Sequence, residues 1–287
     1  MRAPRHRGVT HPDPVSAARA VAAETIQAFA DAFGDRLAAG YLLGSLAYGG
    51  YAPAVSDIDV AVVLTDRQPG DPDLVDATVG ALRERSPLHA KLSVFWSSLP
   101  ALRAGESDGR FPGIDRMQLV DDGVLLAGTD VTGQVGRIPG RDLMLESIRF
   151  AVELLATDEV IAEFHRPRRL LVDPVWFTKA VFFPLRIRFS AEGGAGTSSK
   201  NDDALMWYLV NRSQPPGGDL VRMANRIRGG EPLDPEEAAI SLAAGLVPLY
   251  RRFLDDHLYH LRRVDAPPEL IAAVERWNER LADPGPD

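Results

Sequence analysis

Two aspartates one residue apart, Asp57 and Asp59, open an apolar run that reaches Leu64, and a Gly44-Ser45 pair stands eleven residues before them. On an extended strand, positions i and i+2 point to the same face. Two carboxylates held that close repel unless something positive lies between them. A hard divalent cation such as Mg²⁺ satisfies both, because it is bound by one or two carboxylates together with phosphate oxygens. The Gly-Ser pair supplies the complement. Gly44 allows a tight turn and a close approach of backbone, and Ser45 offers a backbone N–H and a hydroxyl to phosphate oxygens. On adjacent strands these features make a nucleoside-triphosphate site, with Asp57 and Asp59 as metal ligands.

The surrounding pattern places the motif in a small mixed sheet. The segment 15–37 is Ala-rich with apolar residues at helical spacing, 40–43 and 57–64 read as paired strands, 71–85 as a second helix, and 90–96 alternates as a third strand. Residues 104–115 are rich in Gly and charge and read as a loop, and 118–128 closes this half. Beyond Arg141 strand alternation stops. Helical patterns follow over 143–155, 175–190, 203–210, 235–261 and 268–281, with 193–196 and 214–218 as Gly/Pro linkers. The expected fold class is α+β: a small mixed-sheet domain over 15–139, an all-α helical-bundle domain over 140–287, and a basic arm over 1–14 that lacks the apolar core of a secretory signal.

The order Gly-Ser, eleven residues, Asp-x-Asp and an apolar strand resembles the signature of the polymerase-β-type nucleotidyltransferase superfamily. In the second half, Leu185 to Gly193, then Thr197-Ser198-Ser199-Lys200 and Ala204 to Trp207, followed by Leu246-Val247-Pro248-Leu249-Tyr250, resemble the helical domain of the streptomycin/spectinomycin adenylyltransferases. The resemblance implies two Mg²⁺ ions, ATP as co-substrate and transfer of AMP to a hydroxyl of a small, cationic, aminoglycoside-like acceptor. It also implies nucleotide contacts by Gly44, Ser45, Lys200 and Tyr250, and catalysis by Asp57 and Asp59. The chain departs from the family at the third strand, where a further carboxylate is expected and Lys91 or Ser93 stands instead. An acid from elsewhere, Asp115, Glu106 or Asp108, could reach in. Otherwise the enzyme works with two aspartates, or the protein binds nucleotide with little turnover.

Acceptor contacts are expected among Glu146, Glu153, Asp173, Trp176, Asp202, Asp203, Asp255, Asp256 and Trp207. Arg252 and His257 also fit an R-x₄-H pattern of toxin-type RNase modules, an alternative helical function. A formal net charge of −8 argues against nucleic acid as partner. The absence of cysteine fits a cytoplasmic protein, no apolar run reaches the roughly 18 residues of a membrane span, and a monomer or homodimer is expected.

Overall fold

The structure, a computed structural model, describes residues 13–193, 200–210 and 215–283. Most of the basic arm, most of the 193–196 linker and Thr197-Ser198-Ser199 lie outside them. Four strands, β1 (Leu37–Leu42), β2 (Ile58–Leu64), β3 (Leu92–Ser98) and β4 (Val124–Gly128), form one sheet in the order β3-β2-β1-β4. β2 and β3 run parallel, and the other pairs are antiparallel. β2 reads as a continuous apolar run because both of its faces are covered. Val60, Val62 and Leu64 pack with Ile26 and Phe29 of α1 (Pro14–Phe33) and Leu82 of α3 (Asp71–Arg83). Ala61 and Val63 pack on the other face with Phe95, Phe111 and Leu119, the last from α5 (Gly113–Asp122). Alternation therefore places Asp59 on the α5 face, at the mouth of the strand.

The remaining elements of this half are two short helices, α2 (Gly44–Tyr48) and α4 (Leu99–Arg103). The second half is all helical, with α6 (Gly140–Leu155), α7 (Asp158–His165), α8 (Pro174–Arg188), α9 (Asn201–Val210), α10 (Gly218–Arg228), α11 (Pro235–Arg263) and α12 (Pro268–Ala282). The α+β architecture holds. Side-chain caps start several helices where the sequence supplies them. Asp173 accepts from the Trp176 amide at 3.0 Å, and Asp234 accepts from the amides of Glu236 and Glu237.

Several element bounds differ from expectation for local reasons. The first helix stops at Phe33 because Gly34 takes φ +55°, which frees Leu37 to start β1. The third strand starts at Leu92, since His89–Lys91 forms a 3₁₀ turn. Residues 113–115, expected as loop, are the first turn of α5, with Pro112 at its N-cap. The short helices α2, α4, α7 and α10 have no counterpart among the helical patterns of the sequence.

The two halves interlock. Ala52 and Val55, from the segment between α2 and β2, are buried in the same apolar cluster as Ile148 of α6 and Phe182 of α8. Arg228 at the end of α10 donates to the Gly50 carbonyl at 3.0 Å, and Lys200 pairs with Asp122 at 2.7 Å. No described helix is long and apolar enough to cross a membrane.

Candidate active site

β1 delivers its chain to Gly44, which has φ +62° and begins α2. The amide of Leu43 donates to the carbonyl of Asp59 at 2.8 Å, tying the Gly-Ser corner to the acidic strand. Contact there is close enough that a Cβ on residue 44 would lie 2.1 Å from Asp59 Oδ2. Glycine is thus required twice, by its left-handed backbone and by the carboxylate pressed against its Cα. Ser45 is buried beside it. Both residues line a cavity of about 290 Å³ together with Asp57 and Asp59.

The opposite wall comes from the helical half and is cationic. Lys179 and Arg186 of α8 and Arg228 of α10 line the same cavity. Lys179 Nζ reaches Asp57 Oδ2 at 2.6 Å across 122 positions of sequence, while Arg186 acts electrostatically on Asp59 and Lys91 on Asp57. Trp176, Lys179, Phe183 and Arg186 all line the cavity because their spacing places them on one helical face. Arg228 lies over the Phe182 ring at 5.4 Å, and burial lowers its pKa.

Burial, with repulsion from Asp57 and Asp115, pushes the Asp59 carboxyl up to about 7, against the pull of Arg186 and Lys179. Asp115, in the first turn of α5, also faces the cavity. Burial pushes it up to about 6, opposed by Arg186 and Arg110. Three carboxylates therefore converge, and the third comes from a helix. On β3 the residue opposite Asp59 is Ser93, which lines the cavity. Lys91 precedes the strand and donates to the Pro53 carbonyl, its pKa lowered by burial. Asp108 is taken up by Ser97 Oγ (2.9 Å) and the Ser98 amide (2.8 Å), and Glu106 is exposed.

The remaining expected contacts are dispersed. Lys200 sits at the rim, paired with Asp122 and 5.4 Å from the ring of Tyr48, itself a cavity residue. Tyr250 is 0% exposed. Its hydroxyl donates to the Ala180 carbonyl at 2.8 Å and its ring packs on Phe164 and Trp277, so it offers no surface to a nucleotide. His257 is 1% exposed with its ring tilted against that of Phe253 at 4.3 Å, and Arg252 pairs with Asp256. Asp173 caps α8, Asp255 accepts from Asn278 at 2.8 Å, and Asp256 also pairs with Arg188. Trp207 lies at the ring of Phe189 and under Arg188.

Glu146 accepts from the Gly113 amide and binds Arg116 at 2.8 Å. It lines a second cavity of about 570 Å³ that adjoins the first, with Asp115, Phe150, Phe183 and Arg186 common to both.

The residues present fit a hard cation that brings other ligands with it. The oxygens available are carboxylates, and Asp59 is held in a position where its charge is under-compensated. Among the described residues no cluster of three or more His, Cys, Asp or Glu is gathered tightly enough to hold an ion alone. A cation bound by Asp57 and Asp59 would complete its shell from phosphate oxygens, and Lys179 would have to leave Asp57.

Comparison with known proteins supports the architecture. No family model matches the sequence, nor does any curated protein. Among solved structures, the spectinomycin adenyltransferase AAD(9) from Enterococcus faecialis, determined with ATP and spectinomycin, is similar over 91% of this chain and 99% of its own, with a TM-score of 0.54 and 13% sequence identity. The chain shares its fold with that enzyme over most of its length.

Proposed function

We propose that the protein transfers a nucleotidyl group, AMP from ATP, to a hydroxyl of a small molecule. The observation that carries this reading is the pairing of Asp57 and Asp59, packed on Gly44, with three cations on the facing wall of one cavity. Carboxylates on one side suit divalent metal, and Lys179, Arg186 and Arg228 on the other suit the charge of a triphosphate. Asp57 and Asp59 would hold Mg²⁺, which in such sites stabilises attacking and leaving oxygens together. The chain's own groups do the rest. Gly44 and Ser45 present backbone and hydroxyl to phosphate, Lys179 and Arg186 orient it, and Arg228 holds the Gly50 segment in place. Asp115 takes the proton of the acceptor hydroxyl. The hydroxyl oxygen then forms a bond to the α-phosphorus, the bond from that phosphorus to pyrophosphate breaks, and pyrophosphate leaves with the electron pair. A carboxylate near 6 suits a general base at neutral pH.

A second reading, nucleotide binding with little turnover, is favoured by Ser93 at the third-strand position and by the Lys179–Asp57 pair. Incubation with Mg²⁺-ATP and a panel of hydroxyl compounds tests between the two. Pyrophosphate release with an AMP-bearing product in the mass spectrum, suppressed in Asp115→Asn, supports transfer. Nucleotide binding with no product from any acceptor favours the second reading.

A further inference from the structure

The larger cavity adjoins the nucleotide-side cavity at Asp115 and Arg186, so a molecule in it would present a hydroxyl to Asp115. Its chemistry differs from what a polycationic acceptor needs. Four guanidinium groups line it, from Arg110, Arg116, Arg149 and Arg186, against the carboxylates of Asp115, Glu146 and Glu153. Arg116 and Glu146 neutralise each other at 2.8 Å. Arg110 donates to the Val94 carbonyl, lies 5.1 Å over the Phe95 ring and acts electrostatically on the Asp115 carboxyl. Arg149 is exposed and has no hydrogen-bond or ion-pair partner among the described residues. Asp115 is committed to the reacting hydroxyl, which leaves Glu153 as the single carboxylate for an ammonium group.

Across the cavities, Asp173, Asp255 and Asp256 are taken by caps and internal pairs, while Asp202 of α9 is exposed and acts on Tyr48 and Arg228. Several ammonium groups brought here would meet Lys179, Arg110 and Arg149, and like charges in a binding site oppose association. Beside Arg149 stands an aromatic wall. Phe150, 44% exposed, lies 6.2 Å from the ring of Phe183, and both face the cavity. An apolar or planar body packs on such a wall, and an unpartnered guanidinium one residue away binds a carboxylate or phosphate bidentately.

We infer that the acceptor of the proposed transfer is an anionic hydroxyl compound, with an apolar or aromatic body on Phe150 and Phe183 and its anionic group on Arg149. This rests on the nucleotidyl-transfer reading for the fate of the hydroxyl, but the preference for an anion is a property of the cavity and is measurable without nucleotide.

The test uses the full chain and a matched set of probes, meta-hydroxymethyl derivatives of benzoate, phenylphosphonate, benzamide and benzylamine, with spectinomycin as polycationic-type comparison. Binding to the nucleotide-free protein is read by ligand-observed NMR, and ATP binding by calorimetry in parallel. The benzoate or the phosphonate is expected to bind about tenfold to a hundredfold more tightly than the amide and amine, the span of a charge-assisted hydrogen bond. Which of the two anions binds better tells carboxylate from phosphate. Arg149→Ala erases the preference and Arg149→Lys keeps part of it. Equal binding of all four, preference for the amine or spectinomycin, a preference that survives Arg149→Ala, or no binding by any probe at millimolar concentration overturns the inference. Loss of ATP binding with the anion preference intact would instead strike the nucleotidyl-transfer reading.

Discussion

At the scale of the residue, Gly44 and Lys179 carry opposite lessons. Gly44 is constrained by φ +62° and by Asp59 Oδ2 against its Cα. Gly44→Ala must relieve a 2.1 Å approach by moving the carboxylate or the corner. It is expected to lower stability by about 1–3 kcal/mol, as for a residue held in a disfavoured conformation, and to abolish nucleotide binding, read by thermal unfolding and titration calorimetry. Lys179→Ala leaves Asp57 without its partner. Mg²⁺ should then bind the nucleotide-free protein more readily, while ATP affinity falls about tenfold to a hundredfold through loss of a charge-assisted contact; unchanged ATP affinity would remove Lys179 from the phosphate site. Tyr250→Phe should cost about 0.5–1.5 kcal/mol for its lost hydrogen bond and leave the calorimetric affinity for ATP as it was, as befits a core residue. The Gly-Ser and Asp-x-Asp pairs were legible because each acts within a local stretch of backbone. Lys179 and Arg228 were not, since a basic residue on a helix is ordinarily solvated and the partners here, Asp57 and the Gly50 carbonyl, lie more than a hundred residues away. Their one local trace was the spacing of Trp176, Lys179, Phe183 and Arg186, which share a face.

At the scale of the element, the helices that sequence periodicity missed supply key groups. α5 begins in a stretch whose Gly and charge content reads as loop, yet it carries Asp115. α10 is short and strongly polar on one side, yet it carries Arg228. The strand bound matters in the same way. Because β3 starts one residue after Lys91, its parallel register sets Ser93 beside Asp59 and turns Lys91 toward Pro53. The junction between β2 and α3 shows how an element is held. Asp71, at the first turn of α3 and 2% exposed, receives two bonds from Arg36, at 3.0 and 2.7 Å. The guanidinium holds the Asp71 carboxyl below its ordinary pKa. A carboxylate with a depressed folded-state pKa contributes stability above its unfolded value, about 3.9, and that contribution is lost as pH falls through the folded value. Asp71→Asn should therefore destabilise the protein by roughly 1.5–3 kcal/mol at neutral pH. In urea titrations the gap between variant and wild type should close below about pH 4, and a gap that persists at acid pH would contradict the assignment.

At the scale of the whole molecule, the site exists only where the halves meet. The sheet half brings three carboxylates, the helical half three cations, and the Ala52–Val55 segment buried among the helices fixes one against the other. The α+β class was legible because strand alternation ends where helical periodicity begins. The way the halves face each other was not, because it depends on contacts such as Lys179–Asp57 and Lys200–Asp122 that no local pattern encodes. The proposed transfer requires that this interface bind a metal-bound nucleoside triphosphate. The most direct measurement is calorimetric titration with ATP, GTP, CTP and UTP, with and without Mg²⁺, of the wild type and of Asp57→Ala/Asp59→Ala. Mg²⁺-dependent binding of ATP that disappears in the folded double variant is the predicted result. A folded wild type that binds no nucleotide in the presence of Mg²⁺, or a double variant that binds as well as the wild type, would contradict the account.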